Sequence, residues 1–555
     1  MSKNLSELSG RKGLRENLFE ELGVVATPTG TVSRKDTEKL ANEFLMGTAN
    51  VYGTATFYDF LRPENQGKKV YICNGSSCLT AGTQDELKRT LLQHYKPEEI
   101  GEMCCLGRCH ENSSFNTGGK NYSGVAIKSI DAIKKSTDAM PASPTNIDHY
   151  NVGHYGNQIL TAPFPGIDEY YKTLKRALGK TRDEILNELK VSGLRGRGGA
   201  FFPIAFKYES CKNTEGEQKF VVCNADEGDP GAYSDRYILE HQCHSLLLGM
   251  MIAGYIVGAN AGVVYIRAEY PESIEITQKA ISDIRERGLL GENILGSGFS
   301  FDFKLIKAQG AYICGEETAL LNSIEGQRPE VRTRPPYPTQ QGLFNSPTVV
   351  NNVETLACIP WIIQNGGTSF AAIGRGKSTG TKLVSLDGFF NKPGIYEVDM
   401  GTPLNTVVQE LGGGFRSKIK AVHIGGPLGG IIPVDKVNDL TVDVESFAQN
   451  GFLLGHASVI CIPDSFPMIQ YLEHLFEFTA HESCGKCFPC RLGSTRGQEM
   501  IHKSMHSEYK MDRELFTDLI TTMEIGSLCA LGGGLPLGIK NALQYFDGEL
   551  KEYFE

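Results

Sequence analysis

Three thiols at three-residue intervals in Cys484-Gly-Lys-Cys487-Phe-Pro-Cys490, with a fourth candidate at Cys529, leave this chain few ways to fold around that segment. Thiols this close in a turn can all face one centre, and a triplet plus one remote cysteine is how a single chain wraps a cubane iron–sulfur cluster. Structural zinc more often uses two separated CxxC pairs, so the spacing predicts a [4Fe–4S] cluster ahead of zinc, and with it a chain that moves electrons. A second set stands near the amino terminus, in Cys73-Asn-Gly-Ser-Ser-Cys78 and Cys105-Leu-Gly-Arg-Cys109. Two short loops, each presenting a thiol pair, suit the two irons of a [2Fe–2S] rhombus. Cys105 is the expected ligand because its loop is the tighter one, and Cys104 is expected as a buried neighbour. The competing readings of this set are a redox disulfide or zinc, but an active-site disulfide would want CxxC and neither pair has it.

A chain of 555 residues should hold several domains. Its 40% apolar and 22% charged content is that of a soluble globular protein. A net charge of −10 argues against a nucleic-acid partner. Of fifteen cysteines, eight fall in the two metal-type sets and the rest form no pairs, which points to a reducing, cytoplasmic setting. The first residues, Met1-Ser-Lys-Asn-Leu-Ser-Glu, lack the apolar core of a signal peptide. Ser245 to Ile266 carries no charge, but its glycines and the β-branched run at its end predict a core helix followed by a core strand rather than a membrane span.

Patterning divides the chain into four. Residues 1–140 read as helical turns around Leu14, Leu18, Leu22, Leu40, Phe44 and Leu45, a turn at Thr27-Pro-Thr-Gly, and then a small α/β module. That module has strands at Lys69–Cys73 and Gly124–Ile127, with a helix over Asp85–His94; the small residues and prolines of Asp138–Asn146 read as a linker. Residues 150–375 alternate strands at Lys219–Cys223 and Val263–Arg267 with helices at Thr181–Lys190 and Ser273–Arg287, an α/β pattern. Residues 380–463 read as a compact α+β module with a strand at Lys382–Leu386 and a helix at Leu404–Leu411, and residues 465–555 as helices that would surround the cubane.

Between the cysteine sets lies Ser192-Gly-Leu-Arg-Gly-Arg-Gly-Gly-Ala200, where glycines let backbone N–H groups converge on an anion and arginines can fork onto phosphate oxygens. It is not GxGxxG, and alone it is equally an ordinary loop. Three further segments point to a nucleotide or flavin site. Asn224-Ala-Asp-Glu-Gly-Asp-Pro-Gly231 is a polar loop after an apolar run, where open α/β sheets place ligands. Gly310-Ala-Tyr-Ile-Cys-Gly-Glu-Glu-Thr318 again passes from an apolar strand into an acidic turn, and Asn351-Asn-Val-Glu-Thr355 offers amides and a hydroxyl at a helix start.

In order and content these segments resemble the flavin-bearing, NADH-oxidising subunit of respiratory complex I and the soluble diaphorase subunits of NAD-linked hydrogenases and formate dehydrogenases. Residues 1–140 resemble the thioredoxin-like [2Fe–2S] subunit of the same complexes, with Asn50-Val-Tyr-Gly-Thr-Ala-Thr-Phe-Tyr58 as the marker. The resemblance implies a multidomain α/β chain: a thioredoxin-like [2Fe–2S] domain, an FMN- and NAD-binding α/β domain, a small β-grasp (ubiquitin-like) α+β domain and a helical bundle carrying [4Fe–4S]. It implies FMN held by Gly196, Arg197, Gly198, Gly199, Lys207, Asn224, Asp226, Gly315, Glu316, Asn351, Asn352 and Thr355. It places Phe202, Asp229, Glu317, Arg334 and Tyr337 at the dinucleotide, where carboxylates would accept sugar hydroxyls and repel a 2′-phosphate, favouring NAD over NADP. It implies an NADH dehydrogenase (diaphorase) activity, hydride passing between NAD(H) and FMN and single electrons through the clusters. The implied partners are a small thioredoxin-like [2Fe–2S] subunit and an iron–sulfur or catalytic subunit of hydrogenase or formate dehydrogenase type, in an assembly that could be electron-bifurcating.

Some positions depart from the family pattern. Phe201 and Ala205 stand where the family carries glycine, Arg334 where a lysine is expected and Asp229 where a glutamate is. A phenyl group where backbone normally approaches a ligand could reshape the nucleotide pocket or close it. The alternative is therefore a non-catalytic iron–sulfur relay. Among the remaining polar residues, His110 is expected as a solvated loop residue, Cys314 as core packing, and His481 with Glu482 either as hydrogen-bond partners of the cubane or as a helix-end cap.

Overall fold

The computed structural model describes residues 14, 17–27, 30–123, 129–131, 133 and 150–555. The expected strand at Gly124–Ile127, the linker at Asp138–Asn146, the first residues of the chain and the middle of the Thr27 turn lie outside these. Three short helices come first, α1 (Leu18–Ala26), α2 (Arg34–Glu43) and α3 (Thr48–Ala55). α1 is capped by the Asn17 side chain and α2 by that of Ser33, the residue types that best satisfy orphan N–H groups at a helix start. A four-stranded sheet follows, made of β1 (Val70–Cys73), β2 (Ile100–Met103), β3 (Phe115–Thr117) and β4 (Lys120–Tyr122) in the order β2-β1-β3-β4, with α4 (Gln84–Leu91) between the first two strands. Both cysteine pairs leave the carboxyl ends of its parallel strands β1 and β2.

Strand β5 (Asn151–Tyr155) precedes α5 (Arg182–Ser192) and α6 (Ile204–Asn213), which lead into the central sheet. β6 (Phe220–Ala225), β7 (Ala261–Ile266), β8 (Asp302–Lys307) and β9 (Thr348–Asn352) are all parallel, in the order β8-β7-β6-β9, with Val222 opposite both Val263 and Val350. Helices cover both faces, as parallel sheets require. α7 (Ser234–His241) and α8 (Cys243–Val257) follow β6, and α9 (Pro271–Glu286) follows β7. α8 is apolar all round because it is buried all round, and no helix among the described residues is long and apolar enough to cross a membrane. On the opposite face lie α1–α3, whose Phe19, Leu22 and Val51, with Tyr58 just beyond α3, share one core with Val222, Val263 and Ile306. α10 (Glu317–Ile324) and α11 (Val353–Asn365) start directly from the loops that carry the acidic turn and the paired asparagines.

The third module is built on β10 (Thr381–Leu386), β11 (Gly394–Asp399), β12 (Ile419–Ile424), β13 (Gly430–Pro433) and β14 (Ser458–Pro463). The sheet runs β13-β12-β14-β10-β11-β5, so β5 from far upstream closes its edge, parallel to β11. The expected helix at Leu404–Leu411 is a turn of π-helix over Thr406–Leu411. Two buried ion contacts bind this module to the central one: Lys382 pairs with Glu354 with both side chains fully buried, and Glu397 accepts the backbone N–H groups of Ile159, Leu160 and Thr161 at 2.8–3.0 Å. Four long helices, α12 (Met468–Glu482), α13 (Phe488–His506), α14 (Arg513–Gly526) and α15 (Ala530–Tyr545), and a short one at Asp547–Leu550 complete the described chain.

The position of the first module, which the sequence does not fix, is set by polar contacts. Asp59 N–H donates to Gly310 O at 2.9 Å, Tyr58 Oη to Ser323 Oγ at 2.9 Å, and Ser76 Oγ meets His474 Nε2 at 3.0 Å. His110 corrects one expectation: it is 2% exposed, its ring packed 5.0 Å from the rings of Tyr150 and Tyr233. Burial holds its pKa well below the ordinary imidazole value, so it is neutral packing at a module boundary rather than a solvated loop residue.

Candidate functional site

The four thiols of the first set converge. Cys73, Cys78, Cys105 and Cys109 are each 1% exposed, Cys105 Sγ lies 3.3 Å from Cys109 Sγ, and Cys73 touches both Cys78 and Cys105. Backbone donors surround them: Gly107 N–H points at Cys105 Sγ (3.4 Å) and, across the module boundary, Gly231 N–H at Cys109 Sγ (3.2 Å). Such N–H groups stabilise thiolate and bridging-sulfide charge. Cys104 stands beside the set, half-buried.

The second set lies where helix starts meet. Cys487 is the residue before α13 and Cys529 the residue before α15, so both thiols sit at the positive ends of helices, favourable places for thiolate ligands. Cys484 and Cys490 lie within the electrostatic reach of both, and burial pushes the Cys490 thiol up to about 11 and the Cys529 thiol up to about 12. Four free thiols within electrostatic reach of one another, at this spacing, fit a cubane.

The loops at the carboxyl ends of β6 and β9, with the turn before α10, enclose a cavity of about 440 Å³. Gly198, Gly199, Asn224, Asp226, Asp229, Gly315, Glu316 and Asn352 border it, and so does Cys529. A neighbouring recess of about 130 Å³ shares Gly198, Asn224 and Asn352 and adds Gly196, Phe202, Lys207, Glu317, Asn351 and Thr355. The glycines are needed here. A Cβ on Gly198 would lie 3.0 Å from Asn352 Cβ, and Gly199 has φ +113°, a region costly for any side chain. Two buried acceptors, Asp226 Oδ2 and Asn351 Oδ1, have no hydrogen-bond partner among the described residues. Orphaned acceptors beside a glycine-lined cavity fit a ligand rich in N–H and O–H donors, as a flavin with its ribityl chain is.

Most residues expected at the flavin or the dinucleotide therefore share one place. Arg197 does not: its guanidinium is buried against Thr379 O and Met400 Sδ, and only its backbone faces the site, donating to Thr355 Oγ1 at 2.8 Å. Lys207 Nζ donates to Glu317 Oε2 (3.0 Å) and Val350 O (2.7 Å), and Arg334 reaches Glu317 Oε1 at 3.1 Å. Asp229 accepts Tyr312 Oη at 2.7 Å, and burial raises its pKa. Tyr337 is 53% exposed and borders neither recess. Phe201 takes a left-handed backbone (φ +48°) and is 3% exposed, packed in the core of the third module; it borders the smaller recess and leaves the larger cavity open. Glu227, Asp235 and His456 also border that cavity. Glu227 lies within the polar loop Asn224–Gly231, whereas Asp235 and His456 carry no motif and reach the site only through tertiary folding.

Cys314 is buried, as expected of core packing. Glu482 accepts Tyr312 N–H at 2.8 Å, which ties the helix before the cubane loop to the turn that borders the cavity.

Comparison with known proteins bears on the same regions. The family model for the Nuo51 FMN-binding domain matches residues 189–361, that for the NADH-ubiquinone oxidoreductase-F iron–sulfur binding region residues 470–553, and that for thioredoxin-like [2Fe–2S] ferredoxin residues 6–137. The F 2 subunit of NADH-quinone oxidoreductase in Rhizobium meliloti is 42% identical over 389 residues, covering 69% of this chain and 92% of the relative. NADP-reducing hydrogenase subunit HndC of Solidesulfovibrio fructosivorans is 42% identical over 397 residues, covering 70% and 81%. Among solved structures, a chain of an NAD+-reducing [NiFe]-hydrogenase in the H2-reduced state superposes with a TM-score of 0.85 at 26% identity, covering 97% of this chain and 93% of that one. The matched models carry FMN, [2Fe–2S] and [4Fe–4S], in agreement with the cavity and the two thiol sets. With nearly the whole length of its relatives reproduced at this identity, the chain belongs to the F-type subunits of NADH-quinone oxidoreductases, a family of NAD(P)H-dehydrogenase flavoproteins, here joined in one polypeptide to a thioredoxin-like [2Fe–2S] domain.

Proposed function

We propose that this chain exchanges hydride between NAD(H) and FMN in the 440 Å³ cavity and relays single electrons through its clusters to or from an iron–sulfur partner subunit. The observation that carries this reading is that Cys529 borders the same cavity as the glycine loop, Asn224, Asp226 and Glu316. A cluster held by Cys529 would share a wall with the cofactor's cavity. Bound FMN would supply the conversion between a two-electron hydride and one-electron clusters.

The chain's own residues bind and orient. Gly196, Gly198, Gly199, Lys207, Asn224, Asp226, Gly315, Glu316, Asn351, Asn352 and Thr355 would hold FMN, Arg197 contributing through its backbone. Phe202, Asp229 and Glu317, with Arg334 paired to Glu317, would receive the dinucleotide, and Tyr337, outside both recesses, its exposed end. Glu317 sits between Lys207 and Arg334, so its carboxylate is fixed to accept a ribose hydroxyl and to repel a 2′-phosphate, which favours NAD. Cys73, Cys78, Cys105 and Cys109 would hold the [2Fe–2S] cluster; Cys484, Cys487, Cys490 and Cys529 the [4Fe–4S] cluster.

The partner is of the hydrogenase or formate dehydrogenase type, in line with relatives named as hydrogenase subunits, and the assembly works in the cytoplasm, where fifteen unpaired cysteines persist. Electron bifurcation within it is the finer form of the same proposal. Mixing the reconstituted chain anaerobically with NADH tests the core of it. Flavin absorbance near its visible maximum should bleach within the mixing experiment; an unchanged flavin spectrum leaves the relay as the surviving account.

A further inference from the structure

Each hydride that enters the cavity brings one proton and two electrons, and iron–sulfur clusters take only the electrons. NADH oxidation then leaves NAD+, two cluster-bound electrons and one proton that must travel from the cavity to water. Resting on the function proposed above, we infer that the Glu227–Asp235–His456 cluster is the proton acceptor of the flavin cavity, taking up that one proton and passing it to solvent.

All three side chains border the cavity and are almost fully buried. The imidazole lies between the two carboxylates: His456 Nδ1 faces Glu227 Oε1 at 3.8 Å and Ser234 Oγ at 3.4 Å, while Nε2 faces Asp235 Oδ2 at 3.4 Å. A neutral imidazole has hydrogen on one nitrogen only, so a ring with a carboxylate at each nitrogen is satisfied when both are protonated. Burial opposes that charge, but Asp235 and then Glu227 outweigh it and push His456 up to about 9. Burial and the neighbouring Asp235 raise Glu227 to about 7, against the pull of His456, which leaves a carboxylate ready to gain or lose a proton near neutrality. Asp235 Oδ1 is buried with no partner among the described residues, and Asp235 Oδ2 accepts from Asn352 Nδ2 at 2.7 Å, which links the cluster directly to an expected flavin-binding amide.

The other charged groups facing His456 are Asp229, across the cavity loop, and Lys382, whose charge is met by Glu354. Tyr270 Oη donates to Glu227 Oε2 at 3.1 Å. The same three residues have the composition of a metal site. Protonation speaks against a metal, because a ring that the two carboxylates hold protonated on both nitrogens keeps no lone pair for a cation.

The test uses the full chain reconstituted with FMN and iron–sulfur clusters, as wild type and as His456→Gln and Glu227→Gln. Flavin midpoint potential is measured by spectroelectrochemistry from about pH 6 to about pH 10, with a chemical reductant, so the result does not depend on NADH. The expected wild-type plot changes slope near neutrality and again near pH 9; Glu227→Gln loses the first change, and His456→Gln loses the second and moves the first to higher pH. In stopped flow, electron arrival at the clusters slows roughly tenfold or more in Glu227→Gln, with a larger solvent deuterium isotope effect. Potential–pH plots that run parallel in all three proteins, or one equivalent of a non-iron metal that His456→Gln abolishes, overturn the inference. Should His456→Gln not fold, Glu227→Gln carries the comparison. Failure of NADH to bleach a wild-type flavin that the chemical reductant does bleach would instead count against the proposed function.

Discussion

Asn351 and Asp226 each hold out an acceptor oxygen that nothing among the described residues satisfies, and such atoms are costly unless a ligand meets them. Asn351→Ala should weaken FMN binding by roughly 3- to 10-fold, a loss of about 1 kcal/mol, read by fluorescence titration of the apoprotein. His423 makes a second residue-scale prediction. Its Nδ1 meets Tyr471 Oη at 2.8 Å and its Nε2 meets Gly429 O at 3.2 Å, one acceptor and one donor role, which is the neutral ring. Burial lowers its pKa to about 4 in the fold, against about 6.5 unfolded. Between those values the unfolded chain binds the proton and the folded one does not, so stability falls as pH drops from about 6.5 to about 4. His423→Gln should flatten the urea midpoint across that range; an unchanged slope would contradict the assignment. Residues of this kind mark what the sequence conveyed. Thiols and glycines stood out because their chemistry depends on short spacing. The inward turn of Arg197, the burial of His110 and the arrival of His456 at the cavity depend on contacts between modules, which no local pattern records.

Helices and strands set the geometry that those residues use. α15 brings Cys529 to the cavity, and its Gly532 passes so close to the cubane loop that an added Cβ would lie 2.6 Å from Cys490 Cβ and 2.5 Å from Ser527 Oγ. Gly532→Ala should therefore push Cys490 aside, lowering iron and acid-labile sulfide per chain toward the content of a protein with only the [2Fe–2S] cluster; a full complement of both would contradict that packing. Lys382 on β10 and Glu354 on α11 form a fully buried pair joining two modules. Removing one partner strands a buried charge, so Lys382→Met should cost about 3–5 kcal/mol in urea denaturation. Periodicity in the sequence identified the strands at Lys219 and Val263 within a residue or two. It did not place β5 at the far edge of the third sheet, because pairing partners hundreds of residues apart leave no trace in spacing.

At the scale of the whole molecule, contacts between modules bring the first thiol set, the cavity and the second thiol set into one structure. The amino-terminal module donates the [2Fe–2S] site and is pinned to the central module through Gly231 N–H on Cys109 Sγ, the central module encloses the cavity, and the carboxyl-terminal helices bring Cys529 to its wall. The order of segments along the chain foretold these components, while their mutual placement came only from the folded structure. The most direct test is rapid-freeze paramagnetic resonance of the reconstituted chain mixed anaerobically with NADH, alongside flavin absorbance. Flavin bleaching should be followed by the signal of a reduced [4Fe–4S] cluster, and Cys529→Ala should keep the bleaching but lose that signal. Flavin that bleaches in the wild type with no reduced cubane ever appearing would contradict a cavity built to join hydride chemistry to iron–sulfur electron transfer.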